Sequence, residues 1–87
     1  MRRRVVVHGL VQGVFFRDTV RRHAQSRGVA GWVRNNRDGT VEAVFEGEPE
    51  AVERLVAFAR EGPSGAIVER VDVTDEPDEG LSGFSVR

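Results

Sequence analysis

Gly9-Leu10-Val11-Gln12-Gly13-Val14-Phe15-Phe16-Arg17 is the segment best equipped for chemistry. It joins a β-branched stretch, Val5-Val6-Val7, to a helical pattern that begins near residue 17. The first N–H groups of a helix have no partner inside it and point out of its end, where they attract anions. Glycines at 9 and 13 permit a sharp curve that brings several N–H groups to one point. Arg17 adds a planar guanidinium that can hold two oxygens of one anion. A cation at a helix N-terminus is electrostatically misplaced, and a bound dianion would give it a reason to be there. An ordinary glycine turn with a solvated arginine is the alternative, and the residues alone leave both open.

Asn35, at the end of Gly31-Trp32-Val33-Arg34-Asn35, is the second candidate. Asparagine is a favoured turn opener, and that role would account for it without any chemistry. Its carboxamide can also accept a proton from a water while donating to another oxygen, which orients the water without acting as a base. Trp32 reads as packing on a sheet face rather than as a stacking platform. His8 and His23 have no acidic or hydroxyl partner at a telling spacing and read as structural or exposed. The chain has no cysteine, which excludes a disulfide framework, a thiol nucleophile and a thiolate zinc site. The acids Asp72, Asp75, Glu76, Asp78 and Glu79 lack the spacing of a calcium loop.

These residues must be positioned by a small body. Eighty-seven residues with 39% apolar and 31% charged side chains make one soluble domain, residues 1–87. No apolar run approaches the roughly 20 residues of a membrane span, and no signal-peptide core follows Arg2-Arg3-Arg4. A cytoplasmic location is expected. The net charge of −1 conceals a division: residues 1–37 carry nine arginines and one acid, the remainder four arginines and thirteen acids. An anion partner for the basic half is one explanation. The other, favoured in so small a domain, is that the halves interleave and neutralise each other.

Turn signals cut the chain into short elements. A strand from Val5 to about His8 leads through the glycine segment to a helix over 17–27, with Phe16, Val20 and Ala24 on one face and Gly28 after its end. Ala30 to Asn35 and Thr40 to Glu46 form strands joined by Asn36-Arg37-Asp38-Gly39, with Val41, Ala43 and Phe45 facing the core. Pro49 opens a second helix whose Val52, Leu55, Val56 and Ala59 repeat with helical period, and Gly62-Pro63 ends it. In the next strand, from Ala66 to Thr74, Ile67, Glu69, Val71 and Val73 share one face and Val68, Arg70 and Asp72 the other. Phe84 and Val86 mark a short final strand. The order is an α+β, ferredoxin-like βαββαβ sandwich: an antiparallel sheet with both helices on one face. That plan hosts many activities.

Val7 to Arg17 closely resembles the first signature of the acylphosphatases. Gly31 to Asn35, followed by Asp38-Gly39-Thr40-Val41-Glu42, resembles the second, and Ser82-Gly83-Phe84-Ser85-Val86 is similar to the family's closing segment. The resemblance spans essentially the whole chain. It implies hydrolysis of the carboxyl–phosphate bond of acyl phosphates, with no metal, cofactor or covalent intermediate. By position, Arg17 would be the phosphate-binding catalytic arginine and Asn35 the residue that orients the attacking water. The backbone of Gln12, Gly13, Val14, Phe15 and Phe16 would cradle the phosphate. The implied partner is a small-molecule acyl phosphate, with no nucleic acid and no membrane, taken up by a monomer. Arg27 and Thr19 depart from the family pattern, standing where an apolar and an aromatic residue often occur. Two other readings remain: a non-catalytic phosphate-binding or accessory module of the same fold, and an RNA-binding ferredoxin-like domain that would stack bases on sheet aromatics. A fused accessory use is disfavoured, since no zinc-finger cysteines accompany the cradle.

Overall fold

The chain folds as β1 (Arg2–Leu10), α1 (Phe16–Ser26), β2 (Ala30–Asn35), β3 (Val41–Glu46), α2 (Pro49–Glu61), β4 (Ile67–Glu76) and β5 (Phe84–Val86) in a computed structural model that describes all residues, Met1–Arg87. The sheet order is β4-β1-β3-β2-β5. The first four strands pair antiparallel, as the pattern predicts, but β5 runs parallel to β2, so the five-stranded sheet is mixed. The parallel edge arises because residues 77–83 carry the chain across the end of the sheet before β5 begins.

Both helices cover one face. Val20 and Ala24 of α1 and Val52, Leu55, Val56 and Ala59 of α2 join Val5, Val7, Val33, Val41, Ala43 and Phe45 in one buried cluster. This is the period-2 and period-3.6 arithmetic of the sequence realised in space. The rings of His23 and Phe58 stack at 4.3 Å between centroids, which gives that histidine a packing role. No helix is long and apolar enough to cross a membrane.

The strand β1 is longer than its valines announce, because its three arginines belong to it. Arg2 and Arg4 lie on the open face between acids of the flanking strands. Arg2 reaches Glu76 at 2.9 Å and Glu46 at 3.3 Å, while Arg4 reaches Glu76 at 2.6 Å and also pairs with Glu42. The basic and acidic halves therefore do interleave. Trp32 lies among these pairs, only 6% exposed, with the guanidinium groups of Arg4, Arg34 and Arg87 over its ring. It is packing, as expected, and presents no open ring for stacking.

The face assignment of β4 differs from the expected alternation. His8 pairs with Arg70 but Gly9 pairs with Val68, so Glu69 is an extra residue in a β-bulge. The bulge reverses the parity. Val68 packs against the core together with Val71 and Val73, while Ile67 points to solvent. Opposite the bulge, Gly9 has φ of +133°, and a Cβ there would collide with the Ile67 carbonyl oxygen. His8 gains a partner that spacing along the chain did not reveal, Asp72 on the adjacent strand at 2.9 Å.

Glu46 ties the sheet to its last strand. Its carboxylate accepts the N–H groups of Glu79, Gly80 and Leu81 at 3.0, 2.8 and 3.1 Å. Those bonds, with burial opposing and Arg2 assisting, hold its carboxyl below the usual glutamate range. Hydrogen bonds from Arg4 and Arg2 do the same for Glu76.

Two outcomes are expected. Gly9→Ala should cost at least about 2 kcal/mol in urea unfolding, because a strained φ and a backbone collision coincide there. Glu46 and Glu76 bind protons more readily when unfolded, so their stabilisation is complete above the ordinary value of 4.5 and is lost as pH falls through their depressed native values. The melting temperature should accordingly hold down to about pH 5 and drop steeply toward pH 3, with the acid drop smaller in Glu46→Gln.

Candidate active site

The bulge opposite Gly9 shifts the register of β1 with β4 just before the chain must turn toward α1. Gly13 has φ of +76° and Phe15, the residue before the helix, φ of +60°. Two left-handed residues within three positions bend the chain sharply, a conformation in which successive N–H groups can form an anion-binding concavity. The N–H groups of Gln12, Gly13, Val14 and Phe15 donate to no acceptor in the protein. No side chain caps the helix, and its first internal bond runs from the Thr19 N–H to the Phe15 carbonyl at 3.0 Å. The Thr19 hydroxyl donates to the same carbonyl at 2.8 Å, so this departure from the family pattern serves the loop. Arg27 lies exposed beyond the helix end.

Arg17 stands one residue into α1, exposed, and takes part in no ion pair or hydrogen bond. Its acidic neighbour Asp18 is engaged elsewhere, receiving Arg21 at 2.6 Å and Arg22 at 3.2 Å. The guanidinium is thus free beside a loop of free N–H donors.

Asn35 ends β2, paired with Val41, on the same sheet face as Val33. The turn that follows uses Asn36 instead: its N–H donates to the Thr40 carbonyl at 2.9 Å and its Nδ2 to Thr40 Oγ1 at 3.0 Å. Asp38 accepts both the N–H and the hydroxyl of Thr40, which lowers its carboxyl pKa. With the turn satisfied by Asn36, Asp38 and Thr40, the Asn35 carboxamide makes no hydrogen bond within the protein.

One cavity of about 600 Å³ brings the two candidates together, lined by Gly13, Phe15, Phe16, Arg17 and Asn35 among others. The loop is held against the hairpin by the Gln12 side chain, whose Nε2 donates to the Asn36 carbonyl at 2.7 Å and the Thr40 carbonyl at 3.0 Å. Sequence reasoning used only the backbone of Gln12, since nothing along the chain ties residue 12 to residue 36. It also missed Arg21, Gln25 and β5 as walls of the same cavity.

A family model, Acylphosphatase, matches residues 3–86. The chain belongs to the acylphosphatase family. An acylphosphatase from Gloeobacter violaceus is 56% identical over 86 residues, covering 99% of this chain and 92% of that one. One from Rubrobacter xylanophilus is 59% identical over 85 residues, covering 97% and 77%. A crystal structure of acylphosphatase from Bacillus subtilis superposes with a TM-score of 0.93 at 38% identity, covering 99% of this chain and 97% of that one. This member of the family is therefore a hydrolase of acyl phosphates, built on the ferredoxin-like plan.

The Gln12 bridge joins two parts of the candidate site. Gln12→Ala should weaken binding of inorganic phosphate several-fold, read by calorimetry, and cost about 1–2 kcal/mol of stability for two lost hydrogen bonds. Unchanged phosphate affinity would show that the loop holds its shape without the hairpin.

Proposed function

We propose that Arg17, Asn35 and the backbone of Gln12, Gly13, Val14, Phe15 and Phe16 carry out the hydrolysis. Supporting this reading most strongly is the set of unused donors: the N–H groups of residues 12–15, the Arg17 guanidinium and the Asn35 carboxamide have no protein partners, and Gly13, Phe15, Arg17 and Asn35 line one cavity. The loop N–H groups and Arg17 hold the phosphoryl oxygens. The Asn35 Oδ1 accepts a hydrogen bond from a water, and its Nδ2 donates to a phosphoryl oxygen. The water oxygen bonds to phosphorus, and the bond between phosphorus and the acyl oxygen breaks. The products are a carboxylate and inorganic phosphate, and the water proton passes to solvent.

The leaving carboxylate is a weak base, so no general acid is required. A loose phosphoryl-transfer transition state is stabilised mainly by positioning and by charge complementarity. Preformed N–H donors and a guanidinium beside them supply both. We read the reaction as independent of metal and cofactor, because these donors already meet the phosphoryl charge. We read residues 1–87 as one monomeric domain working in the cytoplasm on a small-molecule acyl phosphate, without nucleic acid or membrane. All ligands of the proposed site come from one chain, and the one sheet tryptophan is covered by arginine.

The test is hydrolysis of benzoyl phosphate in excess chelator. Wild type should turn over, Arg17→Ala should lose roughly 10³-fold or more, and Arg17→Lys should also fail, since a point charge cannot span two oxygens. Asn35→Ala should lose turnover while keeping most of its phosphate affinity. Normal turnover in that variant would remove the water-orienting role. A folded wild type that binds phosphate but leaves benzoyl phosphate intact would make the site a binding module.

A further inference from the structure

The cavity of about 600 Å³ has more room than a phosphate needs, and its far half is lined by residues that the reaction does not use. Arg17, Arg21 and Gln25 follow one another at four-residue spacing along the same face of α1. Phe84, Ser85 and Val86 of β5 form the facing wall. The Gln25 Nε2 donates to the Phe84 carbonyl at 3.3 Å and ties helix to strand at the far end. Apolar surface lies between, with Phe15 81% and Val86 42% exposed.

Arg21 is the charged group of this half. Its Nη2 donates to Asp18 Oδ1 at 2.6 Å, and the other oxygen of Asp18 faces Arg22 Nε at 3.2 Å. One carboxylate thus serves two guanidinium groups. Asp18 also borders the cavity, but it is shared with Arg22 outside it and so offsets the charge of Arg21 only in part. The single contact to Asp18 steadies the Arg21 head while leaving its remaining N–H donors unused. Four residues of helix rise about 6 Å, which spans a short acyl chain measured from its phosphate.

We propose that Arg21 is a specificity-determining residue for the acyl half of the substrate, binding a distal carboxylate on a short acyl chain. The methylenes of that chain lie against Phe15, Phe84 and Val86, and the preferred substrates are acyl phosphates of dicarboxylic acids. The inference rests on the reading of Arg17 as the phosphate ligand, which sets the other end of the substrate. A neutral acyl group such as acetyl would fill the near half of the cavity and leave Arg21 unused.

Two unreactive phosphonates test it by calorimetry: acetonylphosphonate, and phosphonolevulinate, which adds a terminal carboxylate. Wild type should bind phosphonolevulinate about three- to fivefold more tightly, the size expected for a half-exposed ion pair. The preference should fade in high salt. It should vanish in Arg21→Gln and survive in part in Arg21→Lys, which retains a charge. Equal binding of the two compounds by wild type, or a preference that persists in Arg21→Gln, would overturn the proposal and leave the phosphate site standing. If wild type bound neither, with Arg17→Ala indistinguishable from it, the phosphate-site reading would fall and this proposal with it.

Discussion

Four backbone N–H groups without acceptors, at the end of a central strand, are the constraint that the rest of this fold serves. Such groups are tolerable only where solvent or a ligand can reach them, and their geometry must be held by something other than their own hydrogen bonds. The bulge at Glu69 and the close approach of Gly9 to Ile67 shift the register of β1 with β4 two residues before the strand ends. The left-handed residues Gly13 and Phe15 then turn the chain into the helix. Gln12 anchors the turn to a hairpin whose own hydrogen bonds are met by Asn36, Asp38 and Thr40. Asn35 is left unengaged as a consequence, because its neighbours have taken over the turn.

Charge is arranged to the same end. The chain carries a steep division between basic and acidic halves, and Arg2, Arg3, Arg4 and Arg34 neutralise part of it within the sheet, where β1 lies between two acid-bearing strands. Arg17 stands outside that lattice. A free guanidinium beside free N–H groups can attract an oxyanion, whereas Arg4 and Arg34 over Trp32 are already paired with Glu42. The two populations of arginine cannot be separated by composition. They are separated by which acids the pairing register brings within reach.

Glu46 connects these two themes. It neutralises Arg2 on the open face and gathers three N–H groups of the loop that leads to β5. That strand forms the wall of the cavity opposite α1. A carboxylate on the open face thereby holds the loop that leads into one wall of the cavity.

Much of the architecture was legible in the sequence because it depends on local periodicity. The helical repeat of Val52, Leu55, Val56 and Ala59, the alternation of Val41, Ala43 and Phe45, and the Asp38-Gly39 turn each specify an element from its own residues. Arg17 and Asn35 were legible too, through motif spacing. What local pattern does not contain is register. The bulge that moves Val68 into the core, the parallel pairing of β5, the partnership of His8 with Asp72 and the bridge from Gln12 to the hairpin all depend on which residues of distant strands face one another. A cross-strand hydrogen bond leaves no periodic trace in either strand. The sequence by itself therefore determined the elements and their order, and it singled out Arg17 and Asn35 as candidates. Only the tertiary structure decided that those residues share a cavity and that Arg21 and β5 enclose its far end, because enclosure is a property of faces brought together by sheet order.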